Sequence, residues 1–374
     1  MLNSEIENID ENEYINDEGV TSPFSTKDIK ITNSTISLAS LIERLKYEEI
    51  DLNPDFQRNA NLWKYDRMSR LIESILLKLP LPIFYFDVSN PDKWIVVDGL
   101  QRLSTINKFV VEKSLRLKKL EFLSDLEDKK YDDLDRNFIR IINETQIVTY
   151  QIEAQTPKKV RYSIFNRINT GGLSLNAQEV RQALNQSGEG VKFLKEIVET
   201  EEFKSIVNIS SKRMLDRELA LRFISFKLSP VVSFGFQFNN MGEFLDYGME
   251  KLDSIVDKDK LMELKKDLID ALIFSEEILG EKHRFSRSMA DINKTNTLNR
   301  SIFDVITVLF SEIKNKELFL ERKNIFKERF IELLLDEKNE FSQSITKGTS
   351  AKSSVVARFK IINELIEGII DENR

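Results

Sequence analysis

Cysteine is absent from the 374 residues, and histidine occurs once, as His283. No disulfide framework, thiol nucleophile or cysteine-held metal can therefore be built. One imidazole cannot supply the two or more histidines of a zincin or HNH-type metal site. A Ser-His-Asp triad would have to run through His283 alone. Proline (7) and glycine (12) are scarce, which favours long helices over a many-stranded sandwich or propeller. No run of 18 apolar residues occurs, so no membrane span is expected. The N-terminal MLNSEIENIDENEY lacks the basic and apolar regions of a signal peptide. The missing cysteine fits a reducing compartment, and the chain is expected in the cytoplasm.

Hydrophobic residues make up 41% and charged residues 31%, enough apolar material for a packed core. The length suggests two or three domains. Charge is unevenly placed. Residues 1–19 hold seven acids and no Lys or Arg, which accounts for the whole net charge of −7. Residues 1–27 therefore read as a flexible acidic arm, dispensable for folding. The formally neutral remainder excludes a strongly basic, non-specific nucleic-acid binder but leaves room for a local basic face.

Periodicity gives the elements. Ser40 and Glu43 stand at capping-box spacing before Leu41, Ile42 and Leu45, predicting a helix over 38–47. IDLNPDFQR reads as extended. Met68, Leu71, Ile72, Ile75, Leu76 and Leu79 repeat as one helical face, with Pro80 and Pro82 as the stop. IFYFDV (83–88) and WIVV (94–97) read as buried strands joined by SNPD. Leu103, Ile106, Phe109 and Val110 predict a helix after Asp98-Gly99. A further helix is expected over 131–143 and a strand over 146–154. Thr156-Pro157 has the form of a helix cap and first position. That helix should end at Asn169-Thr170-Gly171-Gly172, and Asn176 with Glu179 should start the next. Beyond 185 strand signals vanish. Amphipathic helices are expected over 214–228, 259–279, 299–314, 325–336 and 352–370.

The chemistry concentrates in WIVVDGLQRLSTINKFV. A buried strand meets glycine at a turn and then a helix, which aims free N–H groups and the positive dipole end over the turn. Gly99 permits close backbone approach. Arg102 carries a forked donor suited to phosphate oxygens. Asp98 and Gln101 suit a ribose, a water or a metal. The plain alternative is a solvated first helical turn with Asp98 as cap and Arg102 on the surface.

The residues resemble the GmrSD-type restriction-endonuclease N-terminal domain family, of ParB/sulfiredoxin-like fold. The family's Asp-Gly-Gln-Gln-Arg turn stands here as Asp98-Gly99-Leu100-Gln101-Arg102, followed by Leu103-Ser104-Thr105. Phe56-Gln57-Arg58 with Trp63, LIESILLKLPLP (71–82) and FNRINTGGLSLNAQEVRQAL (165–184) match in order. RMLDRELALRF (213–223), FLDYGM (244–249) and ITKGTSAKSSVVARF (345–359) resemble the helical remainder.

The resemblance implies an α+β protein: an acidic arm (1–27), a ParB/sulfiredoxin-like nucleotide-binding domain (28–190) and an all-helical domain (191–374). It implies that Asp98, Gln101 and Arg102 serve nucleotide hydrolysis. It also implies that Gln57, Arg58, Gly99, Thr105, Arg167 and Asn169 bind a nucleoside triphosphate of unspecified base, with Mg2+ as a companion ion. Leu100 departs from the family's first Gln. An apolar side chain neither positions water nor donates to phosphate, so the departure weakens hydrolysis more than binding.

The implied role is a nucleotide-binding regulatory or sensor subunit of a bacterial restriction system, with DNA and a separate effector nuclease as partners and self-association as a further expectation. The alternative is a non-enzymatic DNA- or partner-binding module. Thr346, Lys347, Gly348, Thr349, Ser350, Lys352 and Ser353 lack P-loop spacing and read as a polar helix cap. Lys212, Arg213, Arg217 and Arg222 alternate with Asp216 and Glu218, which favours internal ion pairing over nucleic-acid contact.

Overall fold

A computed structural model describes residues 5–6, 29–52, 63–168, 176–185, 188–209, 211–282, 284–290 and 296–371. Among them run seven strands: β1 (Glu5–Ile6), β2 (Ile31–Ser37), β3 (Ile50–Asp51), β4 (Phe84–Asp87), β5 (Trp94–Asp98), β6 (Gln146–Ile152) and β7 (Thr297–Leu298). Contacts divide the chain into one unit of residues 22–184 and another of 1–21 with 185–374. The first is mixed α/β and the second largely helical, as expected.

The first unit is built on a five-stranded mixed sheet in the order β2-β6-β4-β5-β3. β2 and β6 pair antiparallel from Ile31↔Ile152 to Ser37↔Gln146. β6 and β4 run parallel, β4 and β5 antiparallel, and β5 and β3 parallel. Between β4 and β5 the register slips, because Tyr85 faces Asp98 whereas Phe86 faces Val96. The extra residue, Val97, makes a bulge immediately before the Asp98-Gly99 turn, where such irregularities re-aim the chain. Phe84, Phe86 and Val96 are buried in one apolar core with Leu41, Ile42 and Leu45 of α1 (Leu38–Lys46) and Ile72 and Ile75 of α2 (Tyr65–Leu76).

Two helix boundaries differ from expectation. The cap of α1 is Ser37, whose hydroxyl accepts from Ser40 N at 3.3 Å, while Glu43 pairs with Lys46. Ser37 wins because Leu38, fully buried, must already be helical to face the core. α2 closes at Leu77, and Lys78 takes a positive φ of 57°. The chain thus leaves the helix before either proline, and Leu79 is 49% exposed.

After α3 (Leu100–Ile106) the helix widens over Asn107–Val111, where Glu112 N reaches back five residues to Asn107 O. α4 (Arg136–Glu144) follows a short turn at Tyr131–Asp133. Before α5 (Lys158–Ile168), the Thr156 hydroxyl accepts from Lys30 N and donates to Lys30 O. It fastens the sheet edge to the start of this helix. α6 (Ala177–Leu184) opens with the expected reciprocal box: Glu179 N donates to Asn176 Oδ1 at 2.8 Å, and Asn176 N to Glu179 Oε2 at 2.7 Å.

The second unit contains the predicted long helices at Leu215–Leu228, Lys258–Leu279, Arg300–Glu312, Lys323–Leu335 and Lys352–Asp371. Inside it lies a largely buried charge network. Arg222 grips Asp304 with two bonds of 2.8 and 2.7 Å. Glu218 reaches Arg300 at 3.2 Å, and Arg358 lies 3.7 Å from Asp304. Arg217 is buried too, so Arg217, Glu218 and Arg222 of this stretch are internal, as its mixed signs suggested. Of the acidic arm, Glu5 and Ile6 pair in parallel with Thr297 and Leu298; the rest of the arm lies outside the described residues.

Candidate phosphate-binding turn

The turn begins where β5 ends. Gly99 holds φ at +105°, which L-residues rarely adopt. A Cβ there would stand 2.5 Å from Cδ1 of the fully buried Phe84. Both the backbone angle and the packing therefore require glycine. α3 starts at Leu100 with no side chain capping it. Leu103 N is the first to bond back, to Gly99 O at 2.9 Å. Among the described residues nothing accepts from the N–H groups of Leu100, Gln101 and Arg102, the orphan donors of a helix start.

Arg102 is spent on the protein. Its guanidinium donates to Pro82 O, to Ile83 O at 3.1 Å and to Asp98 Oδ2 at 2.9 Å. It also lies 4.3 Å over the Phe84 ring. The residue is 8% exposed. Burial pulls its pKa down, opposed by the Asp98 carboxylate. The surface cation of the plain alternative and the free phosphate fork thus give way to a brace that fixes the 82–84 segment against the turn and holds Asp98. The Asp98 side chain keeps 43% exposure.

Gln101 points the other way. Its Oε1 accepts from Trp63 N at 3.1 Å, just before α2. α2 also begins without a side-chain cap. Two uncapped helix starts are therefore joined through one amide. Thr105 is buried, and its hydroxyl donates to Gln101 O at 2.8 Å, which occupies its proton inside the helix. Gln57, Arg58 and Asn169 lie outside the described residues. Arg167 belongs to the backbone of α5, a helix that packs against β5.

Sequence reasoning missed the brace and the latch. The carbonyls of Pro82 and Ile83 carry no sequence signal, since any residue supplies them. Trp63 was visible as part of the matching pattern, but its link to Gln101 spans 38 positions.

Residues 38–186 match the family model for the GmrSD restriction endonuclease, N-terminal domain. Residues 38–186 are a GmrSD N-terminal domain. The match takes in the turn, the brace and the latch, and it ends at the start of the helical unit. Searches of curated proteins and of solved structures returned no match. Among the described residues no helix is long and apolar enough to cross a membrane. Nor does any group of three or more acids or histidines there stand ready to hold a metal.

Proposed function

We propose that the GmrSD N-terminal domain of this chain binds a nucleoside triphosphate at the Asp98–Gln101 turn. On this reading the chain is the nucleotide-responsive subunit of a restriction system whose nuclease resides on a separate chain. The observation that carries the reading is the pair of uncapped helix starts, α2 and α3, linked by the bond from Trp63 N to Gln101 Oε1. Such starts supply N–H donors and positive dipole ends to an anion. Arg102 contributes by rigidity, since a braced turn needs no reorganisation when the ligand arrives. Gln57 and Arg58 would add donors from the chain segment that leads into Trp63.

Asp98 is the group suited to Mg2+. That ion is commonly held by one or two carboxylates together with substrate phosphates, which agrees with a single carboxylate that stays partly exposed. Bound Mg2+ would supply charge neutralisation at the phosphates. Leu100 favours binding over turnover, because it cannot orient a water.

Titration calorimetry with ATP, GTP and CTP in the presence of Mg2+ tests the proposal. Saturable binding of at least one is expected. Asp98→Asn, which can still accept from Arg102, should lose the Mg2+ dependence. Leu100→Gln should raise hydrolysis. Undetectable binding of all three by folded protein would overturn the reading.

A further inference from the structure

The two tryptophans of the chain have opposite environments. Trp94 starts β5 in the core, 8% exposed, packed on Phe86 and beneath Arg44. Trp63 is half-buried and precedes α2. Its main chain is tied to the turn by the bond to Gln101, and the Arg67 guanidinium lies 4.3 Å over its ring. Part of the Trp63 side chain packs against the core of the α/β unit, and part stays in water. Leu100, next to Gln101, is also half-buried. The turn thus has polar donors at its backbone, an apolar side chain on Leu100 beside the latch, and an aromatic one on Trp63, which forms it.

We infer that Trp63 is the base-stacking residue of the nucleotide site, with Leu100 as an apolar neighbour on the same rim. This inference rests on the phosphate-binding reading of the turn. The chemistry is general: every nucleobase presents a π-face, and an indole binds it with little dependence on base identity. Arg67 over the ring adds positive charge to an aromatic stack beside a polyanion. The inference also gives Leu100 a purpose. Where the family's glutamine would address a water, an apolar side chain borders the base. Trp63 would then contribute to affinity for nucleotides as a class, and discrimination among bases would come from elsewhere.

Inorganic tripolyphosphate separates the two halves of the site, because it carries the phosphates without a base. Full-length protein is titrated with ATP, GTP, CTP and tripolyphosphate, each with Mg2+, and followed by calorimetry and tryptophan fluorescence. Wild type is expected to bind tripolyphosphate with little fluorescence change and to bind nucleotide with quenching. Trp63→Phe should abolish the quenching, since Trp94 remains, yet keep most of the nucleotide affinity through its ring. Trp63→Ala should weaken nucleotide binding by roughly five- to a hundredfold, the range for one stacked base. The loss should fall on nucleotides and spare tripolyphosphate.

Equal loss for both ligands in folded Trp63→Ala would overturn the inference and leave Trp63 as a support for Gln101. Quenching that persists in Trp63→Phe would overturn it as well. If wild type binds tripolyphosphate but gains nothing from a base, stacking fails while the phosphate site stands. If neither ligand binds, both fall together.

Discussion

Glycine at position 99 answers to two constraints at once. The left-handed φ alone would cost another residue about 1–2 kcal/mol. A methyl at 2.5 Å from a buried ring adds an overpacking cost of about 1–3 kcal/mol. Gly99→Ala is therefore expected to lower stability by about 2–4 kcal/mol, read by urea denaturation; a loss below 0.5 kcal/mol would show that Phe84 moves freely. A second residue does similar work by charge. The Glu73 carboxylate accepts from Glu121 N, Phe122 N and Leu123 N at 3.1, 2.7 and 2.9 Å. Burial pushes its pKa up, but these three donors and nearby Arg70 win and hold it below the usual carboxylate range. The native state thus binds this proton more weakly than the unfolded chain. The resulting stability is full above the unfolded value of about 4.3 and is lost as pH falls through the lower native value. Glu73→Ala should cost about 2–3 kcal/mol at pH 7. The gap from wild type should shrink in denaturation curves taken well below pH 4.

At the scale of elements, buried charge fixes which helices meet. Arg222, Asp304 and Arg358 come from Leu215–Leu228, Arg300–Glu312 and Lys352–Asp371, and all three are fully buried. Burying such a set gains little over apolar packing, but breaking it is expensive. Arg358 also donates to Thr349 O at 2.6 Å, so the network sets the loop before the last helix. The backbone of that loop thereby has an ordinary structural support. Asp304→Ala would strand Arg222 without its bidentate acceptor and should cost about 3–5 kcal/mol. Chemical denaturation with far-UV circular dichroism would measure it. A cost under 1 kcal/mol would mean that Glu218 takes over. In the α/β unit the same logic appears at Asp87, whose side chain is fully buried and pairs with Arg161 of α5 at 3.2 Å.

For the whole molecule, the composition bears directly on activity. A chain with one histidine cannot assemble an HNH centre by itself, so purified protein is expected not to cut DNA by that route. His283→Ala should leave every nucleotide-binding property unchanged. Metal-dependent cleavage that survives rigorous purification and disappears in His283→Ala would refute this.

Much of the architecture was legible because it depends on local periodicity. The apolar spacing in α2, the alternation of buried strand and turn around Asp98-Gly99, and the Asn176–Glu179 box all rest on contacts within a few residues. The helical second half was equally plain, since amphipathic spacing needs no knowledge of the partner. The turn itself, its glycine and its helix start could be picked out from sequence, and the family pattern singled out the same residues. Tertiary structure alone decided what Arg102 does. Its sequence neighbourhood offers a forked cation beside a phosphate-type turn, yet the carbonyls of Pro82 and Ile83, about twenty positions away, claim its donors. Likewise only the fold could join Gln101 to Trp63, or bury Arg222 and Arg358 on one aspartate. Sequence fixes which groups are available; which of them meet depends on chain segments brought together by burial of the core.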